Sequence, residues 1–187
     1  MNKQAAILNA ALALFADRGF WGTRVPEIAE RAGVAAGTLY TYFRNKEALA
    51  NELYRQSIQD FGQVFAVPED GPVKAQFQEF CRRFLAFVFE RTTEFKFLEA
   101  HCHESYLDAE SQSKGDAFDE NMRMLFRRWA DSGQLAHRDV DLLVALTFGG
   151  LMGLFKAQQH GFAEFSPNQR ALAIEQLWAC LTSPVTI

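Results

Sequence analysis

VPEIAERAGVAAGTLYTYFRNKE, residues 25–47, holds two short helical patterns joined by a tight turn at Ala32-Gly33-Val34. Ile28, Ala29 and Ala32 share one face of the first pattern, and Val34, Leu39 and Phe43 share one face of the second. Two helices can therefore pack through these residues. Pro26 is tolerated near a helix start, where its missing N–H costs nothing. Gly33 suits a turn that needs a positive φ. The outer face of the second pattern is left with Ala36, Gly37, Thr38, Tyr40, Thr41 and Tyr42. Hydroxyls there can bond phosphates or base edges, and methyls can pack on thymine. Lys46 follows at the start of the next helix, where a cation and free amides favour a phosphate. The arrangement predicts a helix-turn-helix whose second helix enters a major groove.

Working outward, nearly every segment keeps a helical period and none alternates as a strand does. Asn2 can cap a first helix with an apolar stripe of Ile7, Leu8, Ala11, Leu12 and Phe15, stopped by Gly19. Helices are expected over about 26–32 and 36–42, then from a cap at Asn45 to about Val67, where Pro68-Glu-Asp-Gly-Pro72 breaks the pattern. Further helices are expected over about 73–91, 94–106, 111–131, 139–160 and 167–181. The fold class is all-α, with about nine helices.

The composition is ordinary for a globular chain: 187 residues, 49% hydrophobic and 22% charged. Cys81, Cys102 and Cys180 are scattered and odd in number, which argues against a disulfide framework and for a reducing, cytoplasmic setting. No secretory signal is visible, and no membrane span is expected. The apolar run Leu142–Leu154 reads as too short for one. Net charge is −4, yet residues 1–60 carry seven basic and six acidic groups, so the acidic excess lies beyond the helix-turn-helix. Modest non-specific DNA affinity follows, with specificity left to geometry. No phosphate loop, nucleophile elbow or spaced metal cluster is present, so neither an enzyme nor a cofactor is expected. His101 and His103 lie two apart and would point to opposite sides of a helix, which disfavours a metal site.

Residues 3 to about 60 closely resemble the TetR (tetracycline-repressor) family of bacterial transcriptional regulators. The resemblance is carried by Ile7, Ala11, Phe15, Gly19, Thr23, Ile28, Ala29, Ala32, Gly33, Val34, Gly37, Thr38, Leu39, Tyr40, Tyr42, Phe43, Lys46, Glu47 and Leu49. It implies a three-helix DNA-binding head over 1–50, with the motif at about 24–43, and a ligand-binding and dimerisation body over 51–187. It implies DNA contacts at Thr23, Arg24, Thr38, Tyr40, Tyr42 and Lys46, joined on the outer face by Ala36, Gly37 and Thr41. Two positions depart from the family: Ala35 replaces a capping Ser or Thr, and Ala36 replaces a long polar residue.

Fifteen of the eighteen phenylalanines lie within residues 61–165. They read as core for any single residue. The resemblance adds an expected pocket for an apolar or aromatic effector, lined by Phe84, Phe87, His101, Met122, Phe126, Trp129, Phe148 and Met152. The last two helices resemble the family's homodimer seam. Leu142, Leu146, Gly149, Gly150, Gly153, Ile174, Leu177, Trp178 and Leu181 are the expected interface, the glycines allowing close backbone approach. The function implied is a dimeric repressor on a palindromic double-stranded operator, released by a small molecule. The competing reading is a constitutive or architectural DNA-binding protein without a ligand.

Overall fold

A computed structural model of the chain describes residues 2–183 except 103 and 137. Among the described residues there are nine α-helices and no strand. They are α1 (Lys3–Arg18), α2 (Val25–Arg31), α3 (Ala36–Tyr42), α4 (Lys46–Gly62), α5 (Val73–Glu90), α6 (Thr92–His101), α7 (Ala109–Asp131), α8 (Val140–Gln159) and α9 (Pro167–Thr182). A 3-10 turn covers Gln63–Phe65. The chain forms two compact units. One holds the residues up to Phe61 with Arg91–Ala117, and the other holds Gly62–Glu90 with the residues from Phe118 onward.

In the first unit, Asn2 caps α1 by accepting from the amides of Gln4 and Ala5. Gly19 ends the helix at φ 70°, a conformation cheap only without a Cβ. Ile7, Ala11 and Phe15 of α1 are fully buried, as are Ile28, Leu39 and Leu49 of the next three helices. These positions share the i, i+3, i+4 spacing that sequence alone displays. α6 packs on α1, with the rings of Phe15 and Phe97 6.2 Å apart.

α6 ends at His101, short of the expected Tyr106. The reason is non-local. Asn51 of α4 is buried, and its amide donates to the carbonyls of Glu47 and Tyr106, both at 2.9 Å. Its Oδ1 accepts from the amide of Asp108 at 2.8 Å. Backbone groups that helix continuation would satisfy are thus satisfied by a side chain far away in sequence. Asp108 then caps α7 by accepting from the Ser111 amide at 2.9 Å, so that helix starts earlier than expected. Likewise α4 stops at Gly62 rather than running to Val67; Val67, preceding Pro68, is sterically held out of the helical region.

The second unit is built on aromatic packing. Phe77, Phe80 and Phe84 of α5 are buried with Phe126 and Trp129 of α7. Leu143, Thr147, Leu151 and Phe155 of α8 form the row that α5 and α9 cover. Contrary to the sequence reading, α8 is long and apolar enough to cross a membrane by length and composition. Of its most apolar stretch 22% is buried within the chain, in the row that packs on α5 and α9.

The three α8 glycines differ. A Cβ on Gly149 or Gly153 would meet nothing within 4 Å, whereas one on Gly150 would lie 2.5 Å from Leu177 Cδ2. A side chain at Gly150 would thus press on Leu177 of its own chain, so this glycine serves the α8–α9 contact within the subunit. Gly150→Ala is expected to lower unfolding free energy by about 1–3 kcal/mol through overpacking, read by urea denaturation. Gly149→Ala should not destabilise a subunit by itself.

Candidate nucleic-acid interface and body cavity

α2 and α3 are joined by a turn in which Gly33 adopts φ 67°. The Val34 amide donates to Ala29 O at 3.0 Å, closing the turn. α2 is braced at its start by Glu27, whose Oε2 accepts from the Arg24 amide at 2.9 Å. Glu27's carboxyl is held below its ordinary pKa, first by that backbone bond and then by the Arg24 side chain. α3 has no side-chain cap, as Ala35 dictates.

Buried Leu39 and Phe43 anchor α3, which leaves Ala36, Gly37, Thr41, Tyr40 and Tyr42 exposed and Thr38 half-buried. Tyr40 and Tyr42 expose 53% and 44% of their surface. Large aromatic hydroxyls held outward on a rigid, apolar-backed helix form a surface that can enter a groove. Arg24 is exposed beside it. Seven of the nine expected DNA residues thus stand on an accessible face.

The other two make inward bonds. Thr23 is buried, and its hydroxyl donates to Gly19 O at 2.9 Å with Leu14 O at 3.3 Å. Its side chain closes the α1–α2 corner and is turned away from solvent. Lys46 donates from Nζ to the carbonyls of Phe20 and Thr23 at 2.9 and 3.0 Å, and sits 4.0 Å from the Phe20 ring centroid. Its cation organises the same corner. Lys46→Met is expected to lower the stability of the DNA-free protein by about 1–2 kcal/mol; a residue serving only as a phosphate contact would leave that stability unchanged.

The expected pocket set is divided. Phe84, Phe126, Trp129 and Phe148 do meet, around Phe80, which sequence reasoning treated as ordinary core. Phe80 lies 5.7 Å from Phe126, 5.8 Å from Trp129 and 5.8 Å from Phe148, ring centre to ring centre. Edge-to-face rings fill this space as packed core. Phe87 is buried, and Met122 and Met152 are half-buried.

His101 belongs to the other unit. Its Nδ1 donates to Phe97 O at 2.7 Å, and its ring lies 4.2 Å from that of Phe97. Its buried Nε2 has no partner among the described residues. Burial holds its pKa below the ordinary 6.5, against opposing contributions from Phe97 O and Glu104. The unfolded chain therefore binds more protons in that window, so stability is expected to fall as pH drops below 6.5. His101→Phe should flatten that slope in a pH series of denaturant midpoints. His103 lies outside the described residues, and no metal-ligating group of three occurs among those described.

A cavity of about 490 Å³ does exist in the second unit, but none of the expected pocket residues lines it. Phe65, Val67, Phe118, Met124 and Leu125 give it apolar walls, with Glu69, Asn121 and Arg128 as its polar groups. The signal was present in sequence as Phe118 and Arg128. What sequence lacked was the fold-back of residues 62–69 onto α7.

Of the expected seam, Leu142 and Leu146 are 42% and 48% exposed, and Gly149 and Gly153 lie on the same exposed face of α8. Leu172 of α9 is also exposed. Ile174 and Leu181 are instead buried within the subunit, and Leu177 and Trp178 are half-buried, Trp178 with its ring 5.4 Å from Phe77.

An all-helical chain with this head defines a helix-turn-helix DNA-binding protein. A family described as bacterial regulatory proteins, tetR family, matches residues 7–53, and a tetracyclin repressor-like C-terminal domain matches residues 54–181. The HTH-type transcriptional regulator RutR of Escherichia coli is 31% identical over 173 residues, covering 91% of this chain and 78% of RutR. The chain belongs to the TetR family and is a DNA-binding transcriptional regulator. Its fold is similar to that of FadR from Bacillus subtilis in complex with stearoyl-CoA, at TM-score 0.69 and 18% identity over 97% of this chain and 99% of that one. It is also similar to AibR in complex with isovaleryl coenzyme A and operator DNA, at TM-score 0.75 and 19% identity over 98% and 100%.

Proposed function

We propose that the protein is a cytoplasmic, non-catalytic repressor. It binds a palindromic operator as a homodimer and leaves it when a small, largely apolar molecule occupies the body. The observation that carries this reading is the outer face of α3, with Tyr40, Thr41 and Tyr42 exposed, Thr38 half-buried and Arg24 exposed, in a chain of this family. Functionally, residues 1–50 serve as the head and 51–187 as the body. The Leu142, Leu146, Gly149 and Gly153 face supports the dimer, because an exposed apolar row on one helix marks an interaction site. A twofold pair places two α3 helices in successive major grooves, about 34–36 Å apart. The coenzyme A complexes of FadR and AibR support a ligand in the body.

An inducer can act only through its different affinity for the DNA-competent and released states. The test is a footprint on the DNA upstream of the protein's own coding region, repeated with a panel of apolar compounds and acids. A protected palindrome released by one compound supports the reading. Protection that no compound alters turns it toward a constitutive DNA binder, the reading that the close-packed Phe80 cluster favours.

A further inference from the structure

We propose that the cavity at α7 binds a small amphipathic carboxylic acid, whose carboxylate sits on Arg128 in place of Glu69. The proposal rests on the ligand-responsive reading above and names the ligand class and its anchor.

Arg128 is the cation among the cavity-lining residues. Two arginines of α5 are engaged elsewhere: Arg82 pairs with Glu79, and Arg83 donates to Glu79 and to Ala66 O. The Arg128 guanidinium is held from behind. Its Nη2 lies 3.4 Å from Gln76 Oε1, which also accepts from Trp129 Nε1 at 3.1 Å. Gln76 is buried, and its own Nε2 donates to Glu69 O at 3.0 Å and Gly71 O at 3.1 Å. The cation is thus mounted on a helix and braced by a side chain that is fixed on all sides. Its buried Nε has no hydrogen-bond partner among the described residues, so donor capacity is left over.

The present counter-ion is Glu69, with Oε1 2.8 Å from Nη1. The two partners are not equally fixed. Glu69 lies on the turn after the 3-10 segment, and its side chain is 82% exposed, against 38% for Arg128. A carboxylate so exposed returns to water at little cost, because an exposed ion pair contributes little net stability. An incoming acid can offer two oxygens to the guanidinium fork, the geometry that arginine binds best. Its tail then has Phe65, Val67, Phe118, Met124 and Leu125 to cover, with Met124 half exposed and unable to leave water without such a guest. The volume of about 490 Å³ lies within the range of small-molecule sites. A cationic guest would compete with Arg128 and is excluded by it. An uncharged one would leave the Arg128–Glu69 pair in place and fill only the apolar part.

The experiment is calorimetric titration of the full-length protein with octanoate, octanol and octyltrimethylammonium. Octanoate is expected to bind about tenfold more tightly than octanol, and the cation not measurably. Arg128→Gln should reduce octanoate to the level of octanol and leave octanol unchanged. Glu69→Gln, on an exposed turn where folding is not at risk, should tighten octanoate several-fold by removing the competing carboxylate. Absent octanoate binding, equal binding of octanol, or a Glu69→Gln variant that binds octanoate no better would overturn the proposal. Footprints with the same compounds separate the two readings. If octanoate binds through Arg128 but DNA stays protected, the site stands and release by this ligand falls. If another compound releases the DNA while octanoate does not bind, the repressor reading stands and this site falls.

Discussion

A chain carrying Leu142→Glu and Leu146→Glu is expected to be monomeric in sedimentation and to lose operator affinity by at least about a hundredfold, because linking two heads raises the effective concentration of the second by that order. Both leucines are among the exposed large apolar residues of α8, so the substitutions leave the subunit core alone. They lie one helical turn apart, and Gly149 and Gly153 continue the same face. Four carboxylates brought together across a twofold axis in a dry seam would each lack a partner, a cost that no dimer contact there offsets. A helix as short as α3 reads too few bases to be specific alone, so loss of the pair should abolish the footprint. Circular dichroism should show unchanged helicity. A variant that stays dimeric would place the subunit contact on another surface. One that becomes monomeric yet still protects a palindrome would show that DNA itself assembles the pair.

Asn51→Ala is expected to destabilise the protein by about 2–4 kcal/mol, the largest effect of any single polar substitution in the first unit. The side chain satisfies three backbone groups: the carbonyls of Glu47 and Tyr106 and the amide of Asp108. Truncation leaves the last two without that partner in a part-buried position, and the cost of such orphaned groups exceeds that of a lost surface bond. The neighbouring ion pairs add to the same junction: Arg55 contacts Asp108 and Glu52, both at 3.1 Å. Asp108 is held below the ordinary carboxylate pKa, chiefly by the Ser111 amide and then by the Ser111 hydroxyl and Arg55. Urea denaturation near neutral pH reads the loss. Asn51→Asp keeps the acceptor for the Asp108 amide but turns a buried carboxylate oxygen toward the carbonyls of Glu47 and Tyr106, so near neutral pH it should be at least as destabilising as alanine. A shift below about 0.5 kcal/mol would mean that water replaces the amide at no cost.

Legibility followed the range of the interaction. α3 was expected over 36–42 and spans Ala36–Tyr42, because its pattern, its turn glycine and its anchor Leu39 are all local. The end of α6 was misplaced because Asn51 acts on backbone outside the periodic run, and that of α4 because its last turn tightens to a 3-10 turn over Gln63–Phe65. The solvent-facing residues of α3 could be read from one helical face, whereas the inward bonds of Thr23 and Lys46 could not. Their inward bonds depend on a corner formed when Phe20 returns over α1, and a resemblance between sequences carries a residue type, not its rotamer. Of the aromatic residues after position 60, Phe95 and Phe97 fall in the first unit, and periodicity does not distinguish rings that line a space from rings that fill it.

Sequence by itself determined the all-helical class, the helix-turn-helix and its solvent-facing row, because each depends on spacing within about a dozen residues. Tertiary structure alone decided which glycine of α8 touches its own chain, which polar groups are spent inside the head, and where a cavity is left open. Those outcomes depend on side chains from distant segments meeting in three dimensions, where a few ångströms separate a filled core from a site.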